Sequence, residues 1–170
     1  MSEQDLVIEE AQVEDASSLL ALLQKVVEET DFIIQDKALT LDEMIRFLYH
    51  QSESINAICL VARLGEEFVG VLNIVPSDHS QDDSIGDIFI AVKQAYWGYG
   101  LGSLLMETAL DWAKHTPMIH RLELTVQVRN SRAIHLYEKF GFRIDATTSR
   151  GVQTKDGEFL DVYLMSRLID

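Results

Sequence analysis

Three of the nine glycines fall within five residues, Gly98, Gly100 and Gly102, inside the run Tyr96-Trp97-Gly98-Tyr99-Gly100-Leu101-Gly102-Ser103. The run follows an apolar, strand-like segment from Ile85 to Val92 and precedes a segment of helical period that opens at Leu101. Such a turn can hold an anion. The first N–H groups of a helix lack intrahelical partners and sit at the positive end of its dipole, so a diphosphate fits there if no side chain blocks its approach. Glycine gives that access, although the same cluster also suits a turn that needs glycine only for its backbone angles. Spacing removes two nucleotide motifs: no Gly-Lys is followed by Ser or Thr, and counting G-x-G-x-x-G from Gly98 puts Ser103 at its last position.

Few other side chains suggest chemistry. Tyr137 carries a phenol with a reference pKa near 10, protonated at neutral pH; by spacing alone it reads first as an aromatic on a helix's apolar stripe. Cys59 sits in Ala57-Ile58-Cys59-Leu60-Val61-Ala62 with no His or Lys beside it and reads as a core thiol. The histidines, His50, His79, His115, His120 and His135, show no paired ligand spacing, so no metal is expected. His79 alone stands in a loop, where it is a weak candidate base.

The glycine run resembles motif A of the GNAT superfamily of N-acetyltransferases, a strand ending in Val, then Arg/Gln-x-x-Gly-x-Gly/Ala, then a helix. Gly100 and Gly102 are in register, and Trp97 stands where the family usually has Arg or Gln. A second run, Asn130-Ser131-Arg132-Ala133-Ile134-His135-Leu136-Tyr137-Glu138-Lys139-Phe140-Gly141-Phe142, resembles motif B, N-x-x-A-x-x-L-Y-x-K-x-G-F. Asp161 to Met165 is similar to the superfamily's last strand. The resemblance covers roughly residues 5 to 168 and implies an acetyl-CoA-dependent N-acetyltransferase.

It further implies that backbone N–H groups of Trp97, Gly98, Tyr99, Gly100, Leu101, Gly102 and Ser103 hold the coenzyme A diphosphate. The pantetheine arm is expected along Ile90, Ala91 and Val92, with Asn130 and Ala133 of the second motif beside it. Tyr137 then protonates the leaving thiolate, with no metal involved. Arg132 and Lys139 read as helix-surface charges, with coenzyme phosphates as the alternative. An amine nucleophile must lose a proton, since the ammonium has no lone pair; Asp87, Glu29 and Asp31 are candidate acceptors of it, Asp87 and Glu29 foremost. The acceptor is read as a small primary amine, such as a polyamine or amino compound. The alternatives are a protein or peptide N-terminus or lysine, and a non-catalytic acyl-CoA-binding module. Many relatives form dimers, so a homodimer is among the expectations.

These residues need elements to position them. A strand near Leu6 to Ile8 opens the chain, followed by a helix carrying Leu19, Leu22, Leu23 and Val26 and ending near Thr30. Thr40 with Glu43 forms a capping box for a second helix with Met44, Ile45, Phe47 and Leu48 on its apolar face. Ala57 to Arg63 and Phe68 to Val75 form a hairpin across Gly65-Glu66-Glu67, and the polar loop Pro76 to Ser84 leads to the strand Ile85 to Val92. The helix from Leu101 ends near Lys114. A half-polar strand runs from Arg121 to Val128, a helix capped at Asn130 or Ser131 ends at Gly141, and strands near Arg143 to Thr148 and Phe159 to Arg167 close the chain across Asp156-Gly157. The sum is a mixed α/β fold. The family resemblance makes its sheet mostly antiparallel, with one splayed parallel strand pair, flanked by helices.

Composition bounds the partners. At 170 residues and 47% hydrophobic content, residues 1–170 read as one globular domain. Fourteen basic side chains against 28 acidic ones leave a formal charge of -14, which opposes nucleic acid as a partner because phosphate binding draws on Lys and Arg. No apolar run approaches the roughly 18 residues of a membrane span, and the first residues lack a signal peptide's basic head and apolar core. A single cysteine allows no internal disulfide, and the expected location is the cytoplasm.

Overall fold

Segments of period two become the strands of one seven-stranded sheet, and segments of period 3.6 become helices on its two faces. The computed structural model describes residues 5–34, 37–78 and 84–169. The strands are β1 (Leu6–Glu10), β2 (Ile58–Leu64), β3 (Glu67–Pro76), β4 (Ile85–Val92), β5 (Arg121–Gln127), β6 (Arg143–Gln153) and β7 (Phe159–Leu168). Between them lie α1 (Ala16–Glu29), α2 (Leu41–Glu53), α3 (Leu101–His115) and α4 (Ser131–Lys139). Spatial order is β1-β2-β3-β4-β5-β7-β6, every neighbouring pair antiparallel except β4 and β5.

Strand alternation divides the core in two. Residues Ile58, Leu60, Leu72, Ile74, Ile88, Leu122, Leu124 and Met165 pack with Leu105, Met106 and Ala109 of α3. On the opposite face Cys59, Val61, Val71 and Ala91 pack with Leu19, Leu22 and Val26 of α1 and Met44 and Leu48 of α2. Each fully buried aliphatic side chain contributes roughly 1.5–3 kcal/mol by leaving water. The capping box forms as the sequence indicates: Glu43 N donates to Thr40 Oγ1 at 3.1 Å and Thr40 N to Glu43 Oε1 at 3.0 Å, which lowers the Glu43 pKa.

One irregularity in the sheet creates the site. The parallel pairing of β4 and β5 covers only Ile85–Asp87 against Arg121–Glu123. Beyond it, Ile88 to Val92 stay bonded to β3 and Leu124 to Gln127 stay bonded to β7, so the two strands separate toward their C-terminal ends. Strand alternation sends Ile88, Ile90 and Val92 to the α3 face and Asp87, Phe89 and Ala91 to the α1/α2 face. The opening therefore joins both sides of the sheet.

The last strand pair departs from expectation. β6 runs to Gln153 rather than Thr148, because irregular register between Ile144 and Ala146, and again between Thr148 and Val152, lets it bend and continue pairing with β7. Arg150 takes a positive φ of 54° in the second irregularity, where Ser149-Arg150-Gly151 breaks the strand period. His79 lies outside the described residues.

Candidate active site

The glycine turn is built as its sequence requires. After Val92 a short 3-10 turn, Gln94–Tyr96, brings the chain to Gly98 and Gly100, at φ 86° and 81°, and α3 begins one residue later. Side chains rarely adopt that left-handed backbone. A Cβ built on Gly100 would meet nothing within 4 Å, so open space lies over the first, unpartnered N–H groups of α3. That open, electropositive cradle fits a diphosphate.

Carboxylates anchor the turn from outside. Glu29 Oε1, at the end of α1, accepts a hydrogen bond from Gln94 N at 3.1 Å. Glu67 accepts from the Tyr96 hydroxyl at 2.8 Å and from Lys93 Nζ at 3.1 Å. The Tyr96 bond is the main reason the Glu67 pKa is lowered, and the same bond raises that of Tyr96. Trp97 turns its indole inward, with Nε1 donating to the Val92 carbonyl at 2.8 Å, and the Arg132 guanidinium lies 5.0 Å from the centre of that ring. Lys139 Nζ donates to Ser103 Oγ at 3.1 Å, tying α4 to the first turn of α3.

A cleft of about 820 Å³ runs from this turn into the gap between β4 and β5. The turn contributes Trp97, Gly98, Gly100, Leu101, Gly102 and Ser103, and β4 contributes Ile90, Ala91 and Val92. From α4 and its cap come Asn130, Ala133 and Tyr137; Asn130 Oδ1 caps the helix by accepting from Ala133 N at 3.2 Å. Tyr137 is 8% exposed, packs against Phe142, and has its pKa pushed up to about 12 by burial. Tyr99 is more than half exposed and does not line the cleft.

Neither foremost carboxylate candidate lines the cleft. Glu29 is bonded to Gln94 N as described. Asp87 lies two residues before Phe89 on the α1/α2 face, about 7 Å along the strand from a residue that does line it. Cys59 is buried between the sheet and α1, and burial pushes its thiol up to about 12. Among the described residues no group of three or more His, Cys, Asp or Glu is arranged to hold a metal, and no helix is long and apolar enough to cross a membrane.

The structure adds residues that motif reading missed. Phe32, Ile33 and Ile34, between α1 and α2, line the far side of the cleft with Phe89, Thr125 and Val162. The β5 alternation gave a signal for Thr125, which falls on its polar face, and Val162 lies in the Asp161 to Met165 run noted above. Arg132, His135 and Lys139 also line the cleft rather than standing clear of it, because α4 turns that face toward the start of α3.

The family model described as "Acetyltransferase (GNAT) family" matches residues 21–142. The crystal structure of the GNAT-family acetyltransferase from Streptococcus pneumoniae is 44% identical, covers 98% of this chain and all of that one, and superposes with a TM-score of 0.92. The L-amino acid N-acetyltransferase AaaT of Escherichia coli (strain K12) is 32% identical over 109 residues, 64% of this chain and 67% of that protein. The structure of yncA from Salmonella typhimurium with its cofactor acetyl-CoA shares the fold, at 20% identity, TM-score 0.86, and coverage of 97% of this chain and 94% of that one. This chain belongs to the GNAT family and is an acetyl-CoA-dependent N-acetyltransferase.

Proposed function

We propose that the enzyme transfers the acetyl group directly to a small primary amine entering from the α1/α2 face, with Tyr137 as general acid. The observation that carries this reading is the opening between β4 and β5, which brings a buried tyrosine and an anion-binding turn into one cleft reachable from both faces of the sheet. A donor and an acceptor entering from opposite sides meet there without a covalent relay. Cys59, the only cysteine, is shut in the core and is not available for one.

Backbone N–H groups from Trp97 to Ser103 would hold the diphosphate, and Ile90, Ala91, Val92, Asn130 and Ala133 would flank the pantetheine arm. When bound, acetyl-CoA supplies a thioester whose C–S bond is exchanged for a C–N bond as the amine attacks and the thiolate leaves. Tyr137 Oη gives its proton to the departing sulfur. A phenol raised to about 12 is a poor acid toward an ordinary thiol near 8.5, but desolvation raises thiols too. A thiolate leaving beside the buried Tyr137 hydroxyl is subject to the same effect. The amine's proton passes through water to Asp87, which lies two residues before Phe89 on the acceptor face. Glu29 holds the turn in place through Gln94 N.

The likeness to an L-amino acid N-acetyltransferase supports a small amino compound as acceptor. Coenzyme A release from acetyl-CoA by the purified protein, with and without monoamines, polyamines, amino acids and short peptides, tests the reading. Amine-dependent release is expected. Tight acetyl-CoA binding with no release on any amine would instead fit a non-catalytic binding module.

A further inference from the structure

The half of the cleft on the α1/α2 face is walled by Phe32 and Ile33 from the α1–α2 segment, Phe89 from β4, Val162 from β7 and Val152 from β6. Among the described residues that line the cleft there is no Asp or Glu, in a chain that has 28 of them. Its basic side chains, Arg132, His135 and Lys139, are all on α4, on the coenzyme side. Gln127 is spent internally: Nε2 donates to the Asp31 carbonyl at 2.6 Å and Oε1 accepts from Arg129 Nε at 2.9 Å. At the rim, Arg129, whose guanidinium lies 5.7 Å from the centre of the Phe32 ring, is paired with Glu158 at 3.5 Å. Glu123, next to the cleft floor on the same face, is already bonded by Arg121 Nε at 2.9 Å.

Resting on the acetyl-transfer reading above, we infer that the acceptor is a monoamine carried on an apolar body, and that polyamines are excluded. The reacting amine must enter neutral in any case, so it needs one proton acceptor and no permanent counter-charge. A second ammonium on the same molecule would lie against Phe32, Phe89 and Val162 with no carboxylate among the described lining residues to pair with, and an unpaired buried charge is among the costliest arrangements in a protein. An alkyl or aryl group gains from the same walls. The net charge of -14 draws cations toward the surface, but that attraction is screened over a Debye length of about 8 Å and acts before entry, while the lining decides what stays.

The test compares isoamylamine and phenethylamine with putrescine, cadaverine and spermidine, by coenzyme A release and by calorimetric binding of each amine to the protein saturated with coenzyme A. At least a tenfold preference for the monoamines in kcat/KM and in binding is expected. Thr125→Asp, at an exposed position on the lining, should narrow or reverse that ratio by placing a carboxylate there. Equal or better turnover of the polyamines by the unaltered protein overturns the inference and leaves acetyl transfer intact. If no amine supports release, the transfer reading fails, and the calorimetric ratio alone decides the inference; tighter polyamine binding, or no heat from either class, rejects it.

Discussion

The Arg132 guanidinium lies over the Trp97 indole, 5.0 Å from its centre, while the indole Nε1 donates to the Val92 carbonyl at 2.8 Å. Trp97 occupies the position where family members usually carry Arg or Gln. The exchange removes a side-chain hydrogen-bond donor from the turn and supplies a ring that holds a cation from α4 in its place. Trp97 thus fixes the end of β4 and steadies Arg132 beside the glycine turn.

Arg132→Ala should accordingly raise the KM for acetyl-CoA about tenfold with little change in kcat, and Trp97→Phe, which keeps a ring but loses the indole N–H, should do less harm than Trp97→Ala. Calorimetric binding of acetyl-CoA to the two single alanine variants and the double variant should give a coupling of about 0.5–2 kcal/mol, the range for a cation over an aromatic face. Additive losses would mean that the two residues act independently.

Tyr137→Phe keeps the ring that packs on Phe142 and removes only the proton. Turnover is expected to fall about 10²- to 10⁴-fold, the usual contribution of a positioned acid, with acetyl-CoA affinity nearly unchanged. Because burial lifts this phenol to about 12, it stays protonated across the working range and imposes no falling alkaline limb below pH ~10. The rate of the unaltered enzyme should rise with pH as the acceptor loses its proton. Stability moves the other way at high pH: the unfolded tyrosine ionises near 10 while the folded one holds its proton to about 12, so stability declines through that window. A pH–rate profile and alkaline unfolding of both proteins check these signs.

The two carboxylate candidates separate by substitution. Glu29→Gln retains an oxygen able to accept from Gln94 N, so a positioning role predicts a nearly unchanged enzyme, whereas Glu29→Ala should loosen the turn and raise the KM for acetyl-CoA. Asp87→Asn should lower kcat/KM for the amine about ten- to a hundredfold and shift the rising limb of the pH profile to higher pH. A large loss in Glu29→Gln with a shifted pH profile would assign proton removal to Glu29 instead.

The turn residues proposed to act through the backbone are the legible ones. Glycine at Gly98 and Gly100 announces a left-handed turn, and the apolar periods on either side announce the strand and helix that hold it. Period also marks Arg121 to Val128 as a half-polar strand, which the structure ends at Gln127, and α4 as amphipathic. The acceptor half was not legible. Phe32 and Ile33 carry no motif, and Val152 and Val162 reach the cleft only because β6 bends through its irregularities and β7 pairs with β5. Such long-range register leaves no local trace. The Trp97–Arg132 stack was hidden for the same reason: nothing in the sequence reports that the start of α4 faces the turn after β4.

Two turn glycines should respond differently to alanine. Gly100 sits at φ 81° with open space around it, so Gly100→Ala introduces backbone strain without a clash. A left-handed non-glycine residue costs about 1–2 kcal/mol, which corresponds to roughly 2–8 °C in Tm for a chain of this size. Gly102 lies inside the helical region, where alanine is favoured by about 1 kcal/mol. A Cβ there would stand 3.1 Å from Leu136 Cδ2, a contact the end of that side chain can relieve by shifting. Gly102→Ala is therefore expected to be close to neutral in thermal unfolding. Its methyl group and the displaced Leu136 both border the coenzyme side of the cleft, so acetyl-CoA binding should weaken several-fold by calorimetry. Loss of stability in Gly102→Ala comparable to that in Gly100→Ala would show that Leu136 cannot yield and that close packing of α3 on α4, rather than access to the coenzyme, is why glycine is required.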